Sequence, residues 1–161
     1  MIRMKDNSTA KERALNPQES AARSSEVANG KLPEPLDERI LTALHAADEK
    51  KARDLVVLDL RGIATFTDYF VITSGANQRQ VQAISDEVSE RLKKQGTRAA
   101  RIEGYRTAEW ILLDYGDFVV HVFEDKARSF YDLERLWREG KRVALPAALP
   151  QEPASSLRKE S

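Results

Sequence analysis

The sequence predicts an α/β fold: a mixed sheet of about five strands flanked by helices, in the order αββαβββα. Three observations carry that expectation. Several runs of strand length are apolar at consecutive positions, as in strands covered on both faces. Between them lie stretches whose apolar residues recur at the spacing of a helix face. Two β-rich runs are separated by one Gly-Asp pair, a hairpin signal because glycine takes the positive φ of a type II′ turn.

From Leu36 to about Lys51, Ile40, Leu44 and Ala47 share one helical face, with Asp37 and Glu38 at the positive end of the dipole. Leu55–Leu60 reads as a strand ended by Arg61-Gly62, and Tyr69–Ser74 as a second. After Gly75, Asn77 is placed to cap a long helix reaching about Gln95, with Val81, Ile84, Val88 and Leu92 as its stripe and Gly96 as its stop. Arg98–Glu103 is expected as a short strand. Trp110–Tyr115 and Phe118–Phe123 form the hairpin around Gly116-Asp117. A last helix, about Lys126 to Glu139, brings Phe130, Leu133 and Leu136-Trp137 to one side.

The chain has 161 residues, enough for one domain with a real core, and its organisation follows from composition. Residues 1–35 are rich in Asn, Ser, Ala, Glu, Pro and Lys without periodic apolar residues, so they are expected as a flexible extension. Residues 36–140 form the expected domain, and 141–161, with Pro146, Pro150 and Pro153, a second flexible tail. Acids nearly balance bases in the first segment and no apolar run precedes Leu36, so neither a transit nor a secretory peptide fits. No apolar stretch approaches the roughly 20 residues that cross a bilayer. The expectation is a cytoplasmic protein without membrane contact.

Twenty-six basic residues match 26 acidic ones, so a whole-chain basic footprint for nucleic acid is missing. The 36–140 segment alone holds 16 basic and 19 acidic residues, a net of −3 suited to a basic protein partner. Zero cysteine excludes disulfides, thiolate zinc sites and a cysteine nucleophile. With His45 and His121 as the only histidines, no metal set assembles and no cofactor is expected. Ser74-Gly75 lacks the spacing of a nucleophile elbow, and the chain has neither a Walker lysine nor a G-x-G-x-x-G loop. The residue pattern favours binding, through Trp110, Tyr115, Tyr131 and Trp137, whose large rings carry polar tips.

Segments in order reinforce this: Asp54–Asp59, Thr67–Gly75, Arg79–Ile84, Glu103-Gly104 followed by Trp110–Asp117, Val119–Phe123 and Tyr131–Trp137. On them the chain, from about Leu36 to Trp137, resembles the ribosomal silencing factor family, also called Iojap-like. Both termini stand outside the family pattern as read from sequence. The resemblance implies a nucleotidyltransferase-like fold without the catalytic acids, hence no enzyme. It implies a translation repressor binding the large ribosomal subunit through its fourteenth protein and blocking the small subunit from joining under nutrient limitation. Some members form homodimers, which makes a homodimer a second expected partnership.

Carried onto this sequence, the partner surface comprises Trp110, Leu112, Asp114, Gly116, Asp117, His121, Tyr131, Glu134 and Trp137. Trp110 is expected as the apolar anchor, provided it lies near the sheet's open edge, with Asp114, Asp117 and Glu134 as the mates of basic residues; the alternative for Trp110 and Trp137 is that they cap the core. Two alternatives compete. One is a nucleotidyl or phosphoryl transferase using the Ser74-Gly75 helix start with Asp114 or His121; the other is RNA binding through the basic residues of the two tails.

Overall fold

The computed structural model describes residues 9–17, 36–147 and 149. Its elements are α1 (Ala10–Ala14), α2 (Glu38–Glu49), β1 (Arg53–Asp59), β2 (Tyr69–Gly75), α3 (Gln78–Lys94), β3 (Arg101–Glu103), β4 (Trp110–Asp114), β5 (Phe118–Glu124), α4 (Asp125–Tyr131), α5 (Leu133–Leu136) and β6 (Lys141–Arg142). The six strands lie in the order β3-β4-β5-β2-β1-β6. Only the central β2–β5 pair is parallel; the other neighbours run antiparallel. The mixed sheet expected from sequence is present, with one more strand than the five anticipated.

The central strands are buried along nearly their whole length, so each side of the sheet needs a cover. On one side Val57, Val71, Ile111, Leu113, Val120 and Val122 pack under α2 and α3. On α3 the expected stripe of Val81, Ile84, Val88 and Leu92 is fully buried. The Asn77 carboxamide oxygen accepts from the Gln80 N–H at 2.8 Å, and the Gly96 and Thr97 N–H groups return to Lys93 and Leu92 carbonyls. That is a capped start and a Schellman stop, both as the sequence predicted. The Gly116-Asp117 turn has its positive φ at Gly116 and not at Asp117, as a type II′ turn requires.

On the other side Leu58, Leu60, Phe70, Ile72, Trp110, Leu112, Phe123, Leu133 and Trp137 pack together with Ala10 and Ala14 of α1. Three expectations need correction here. The last helix is two short ones, because Asp132 takes the left-handed conformation (φ 50°, ψ 50°), a turn that Asp tolerates better than most residues. The break resets the helical phase: Leu133 and Trp137 turn into the sheet, while Phe130, expected beside them, is 79% exposed. Second, an element exists before Leu36, because α1 docks on the sheet. Third, Lys141–Arg142 pair with Asp59 and Leu58 as the edge strand β6, and Leu149 is buried. Residues 1–8, 18–35, 148 and 150–161 of the two expected tails lie outside the described residues. No described helix is long and apolar enough to cross a membrane.

Gly104 couples β3 to β4 at φ +80°, and a Cβ there would stand on the Trp110 carbonyl oxygen, a backbone atom with no room to yield. Gly104→Ala is therefore expected to lower stability by about 2–4 kcal/mol, read as a shift in the urea midpoint with an unchanged slope.

Candidate partner-docking face

Alternation along β4 puts Trp110, Leu112 and Asp114 on one face. Their antiparallel partners on β5 are Phe123, His121 and Val119. The parallel neighbour β2 adds Ser74, Ile72 and Phe70 opposite the same three residues. Three adjacent strands thus build an aromatic floor centred on His121. The Trp110 indole N–H donates to His121 Nδ1 at 3.1 Å, which fixes the imidazole proton on Nε2. Phe70 meets the imidazole edge-on at 4.3 Å between centroids. Burial, and secondarily the positive charge of Lys11, push the His121 pKa down to about 3, so the ring is neutral at physiological pH.

Trp110 is 3% exposed and Trp137 1%; Leu112 and His121 are fully buried. The expected surface anchor is therefore covered. What covers it is α1. The Lys11 ammonium lies over the Trp110 ring at 4.8 Å, and the Trp137 indole N–H donates to the Ala14 carbonyl at 2.6 Å. Beside Trp110, Tyr131 packs at 4.8 Å between ring centroids and carries the exposed Phe130 edge-on at 5.0 Å. The face therefore runs from two hidden indoles, through a half-buried tyrosine, to a phenylalanine in water.

The carboxylates expected to meet a basic partner already have cations or backbone donors within the chain. Glu134 is forked by Arg128, which also donates to Ser74 Oγ at 3.2 Å, and Arg142 stands 3.6 Å away. Asp114 accepts from the Gly116 N–H at 2.9 Å, with Arg101 Nε 3.9 Å from its second oxygen. Asp117 meets Arg39, which also forks Asp37 and holds that carboxyl below its usual range. Gly116 and Asp117 remain exposed at the turn, at the far end of β4 from Trp110.

The transferase constellation does not assemble. Ser74 is buried and held by Arg128, and His121 is bonded to Trp110. Ser74 pairs with Phe123 and Asp114 with Val119, so about 13 Å of strand separates them. Among the described residues no group of three or more His, Asp or Glu is placed to hold a metal.

Sequence reasoning missed Phe130, Lys11 and Glu103. The signal for Phe130 was the αL-tolerant Asp132 inside the expected helix. The signal for α1 was Thr9-Ala10-Lys11-Glu12, a capping-box pattern that the structure realises in both directions.

A family model described as "Ribosomal silencing factor during starvation" matches residues 33–161. The match takes in the C-terminal stretch that the sequence reading had left outside the family pattern. The ribosomal silencing factor RsfS of Halalkalibacterium halodurans is 41% identical over 112 residues, covering 70% of this chain and 96% of the relative. A crystal structure from Bacillus halodurans superposes with a TM-score of 0.61 at 42% identity, covering 67% of this chain and 98% of the other. A mouse protein named "Mitochondrial assembly of ribosomal large subunit protein 1" is 33% identical over 92 residues, 55% of this chain and 40% of that protein.

The hidden histidine makes stability depend on pH. Its folded pKa of about 3 lies below the ordinary 6.5, so between those values the unfolded chain binds more protons. Stability contributed by the neutral ring is whole above pH 6.5 and is lost as pH falls toward 3. His121→Asn keeps an acceptor for the Trp110 N–H and cannot titrate. Urea melts between pH 4.5 and 6 should show the parent's stability falling more steeply than the variant's, by up to about 1.4 kcal/mol per pH unit; equal slopes would show that the ring is already charged in the folded state.

Proposed function

The chain belongs to the ribosomal silencing factor family, and from that membership we propose that it is a cytoplasmic translation repressor. In this reading it binds the large ribosomal subunit through its fourteenth protein and keeps the small subunit from joining when nutrients run short. The observation that carries the reading is the family match over residues 33–161. The name of the mouse relative, which refers to assembly of the large subunit, points to the same half of the ribosome.

The action proposed is steric and not catalytic. The hydrogen bonds that already hold Ser74 and His121, and the strand length between Ser74 and Asp114, support this. A repressor of this kind works by mass action: the joining-competent fraction falls as 1/(1 + [L]/Kd), so its concentration must stand well above Kd. The docking surface is assigned to the aromatic face, with Phe130 and Tyr131 at its rim and Trp110, Leu112, His121 and Trp137 beneath. Tyr131 and Glu134 flank it, while Asp114, Gly116 and Asp117 extend it toward the hairpin turn. An apolar ring left 79% in water is the kind of residue that interfaces recruit.

Co-sedimentation with separated subunits tests the reading: the protein should pellet with large subunits, not small ones, and excess protein should reduce the yield of joined ribosomes. Pelleting equally with both subunits, or with neither, would remove the proposal. Phe130→Asp should weaken large-subunit binding about 30-fold, roughly 2 kcal/mol, and leave the melting temperature unchanged because the side chain has little packing to lose.

A further inference from the structure

Helix α1 is a foreign object on this face. It lies ahead of the family match, which begins at residue 33, yet it sits on the two tryptophans and the histidine floor. Its seat is specific at both ends. Glu103 accepts from the Ala10 and Lys11 N–H groups, at 3.0 and 3.3 Å, where a helix start favours an anion. Trp137 donates to the Ala14 carbonyl at the helix end. Between the two, Ala10 and Ala14, four apart on one side, let the backbone lie close to the sheet, and Lys11 and Arg13 stand over the rings of Trp110 and Phe66.

The same seat is weakly held. Five residues are too few for a helix to persist alone. Its buried side chains are two alanines, with Leu15 only partly covered, so little apolar area leaves water when it docks. Specific contacts with a small apolar reward describe a reversible occupant.

We propose that α1 is a built-in competitor for the docking face: it occupies a groove that reads a short basic segment with small side chains, and a partner segment of that chemistry binds only after α1 leaves. The proposal rests on the reading that this face meets the large subunit. The groove offers a carboxylate (Glu103) to free N–H groups, an indole donor (Trp137) to a free carbonyl, and ring faces (Trp110, Phe66) to cations. A basic protein surface supplies each complement, as α1 does.

The full-length chain carrying Ala14→Asp tests this, because a carboxylate cannot remain at a position 1% exposed against the sheet. The chain's two tryptophans both lie under α1, so their emission reports its departure. The variant should show red-shifted emission, stronger acrylamide quenching and roughly 10-fold tighter binding to purified large subunits. A synthetic peptide of residues 8–17, added in excess, should reverse both effects. Thr9→Ala with Glu12→Ala, which removes only the capping box, should move the same readouts less far and guards against a fold defect in the first variant. Bared tryptophans with unchanged or weaker binding would overturn the proposal and leave the large-subunit reading intact. Unchanged emission in both variants would overturn it too, since α1 would then not be the cover. If neither parent nor variants bind large subunits, the functional reading itself falls and takes the competitor with it.

Discussion

A sheet apolar on both faces must be covered twice, and this chain has one good cover. The pair α2 and α3, twelve and seventeen residues long, closes the first face with a continuous stripe. The second face receives α4 and α5, seven and four residues, kinked apart at Asp132. Eleven helical residues cannot span what twenty-nine cover opposite. The Trp110 end of the second face is left short, and everything specific about the molecule gathers there: the aromatic floor, the orphaned imidazole nitrogen, the docked α1 and the rim of Tyr131 and Phe130.

The floor has its own internal logic. A histidine in a fully apolar layer costs stability unless its nitrogens find partners. Trp110 satisfies one, and Nε2 has none among the described residues. The imidazole thereby orients the indole, and the indole fixes the tautomer. Apart from the Lys11 ammonium over Trp110, the charges lie at the margins, where Arg128 ties Glu134, Ser74 and the Arg53 carbonyl into one fork. A margin of satisfied ion pairs surrounds an apolar floor whose buried imidazole is held neutral.

The strands and the two long helices were legible because period, capping and burial agree at Asn77, Gly96, the α3 stripe and the Gly116 turn. What stayed illegible depends on contacts far along the chain. β6 is two charged residues whose strand state exists only because β1 offers an edge. Helix α1 is a capped pentamer among polar neighbours, and its order comes from Glu103 and Trp137, more than ninety residues away. The site was half legible. Alternation put Trp110, Leu112 and Asp114 on one sheet face, as the register has them, but a tryptophan's exposure depends on what lies over it, and that cover sat in a segment without periodicity.

The sheet's margins carry one more message. One border strand has three residues, with charges at Arg101 and Glu103, and the other has two, both basic and exposed. Neither border strand is itself long enough to give a visiting chain much ladder to extend. In the docking proposed above, the face meets its partner broadside, with ring faces, the Glu103 carboxylate and the Trp137 indole.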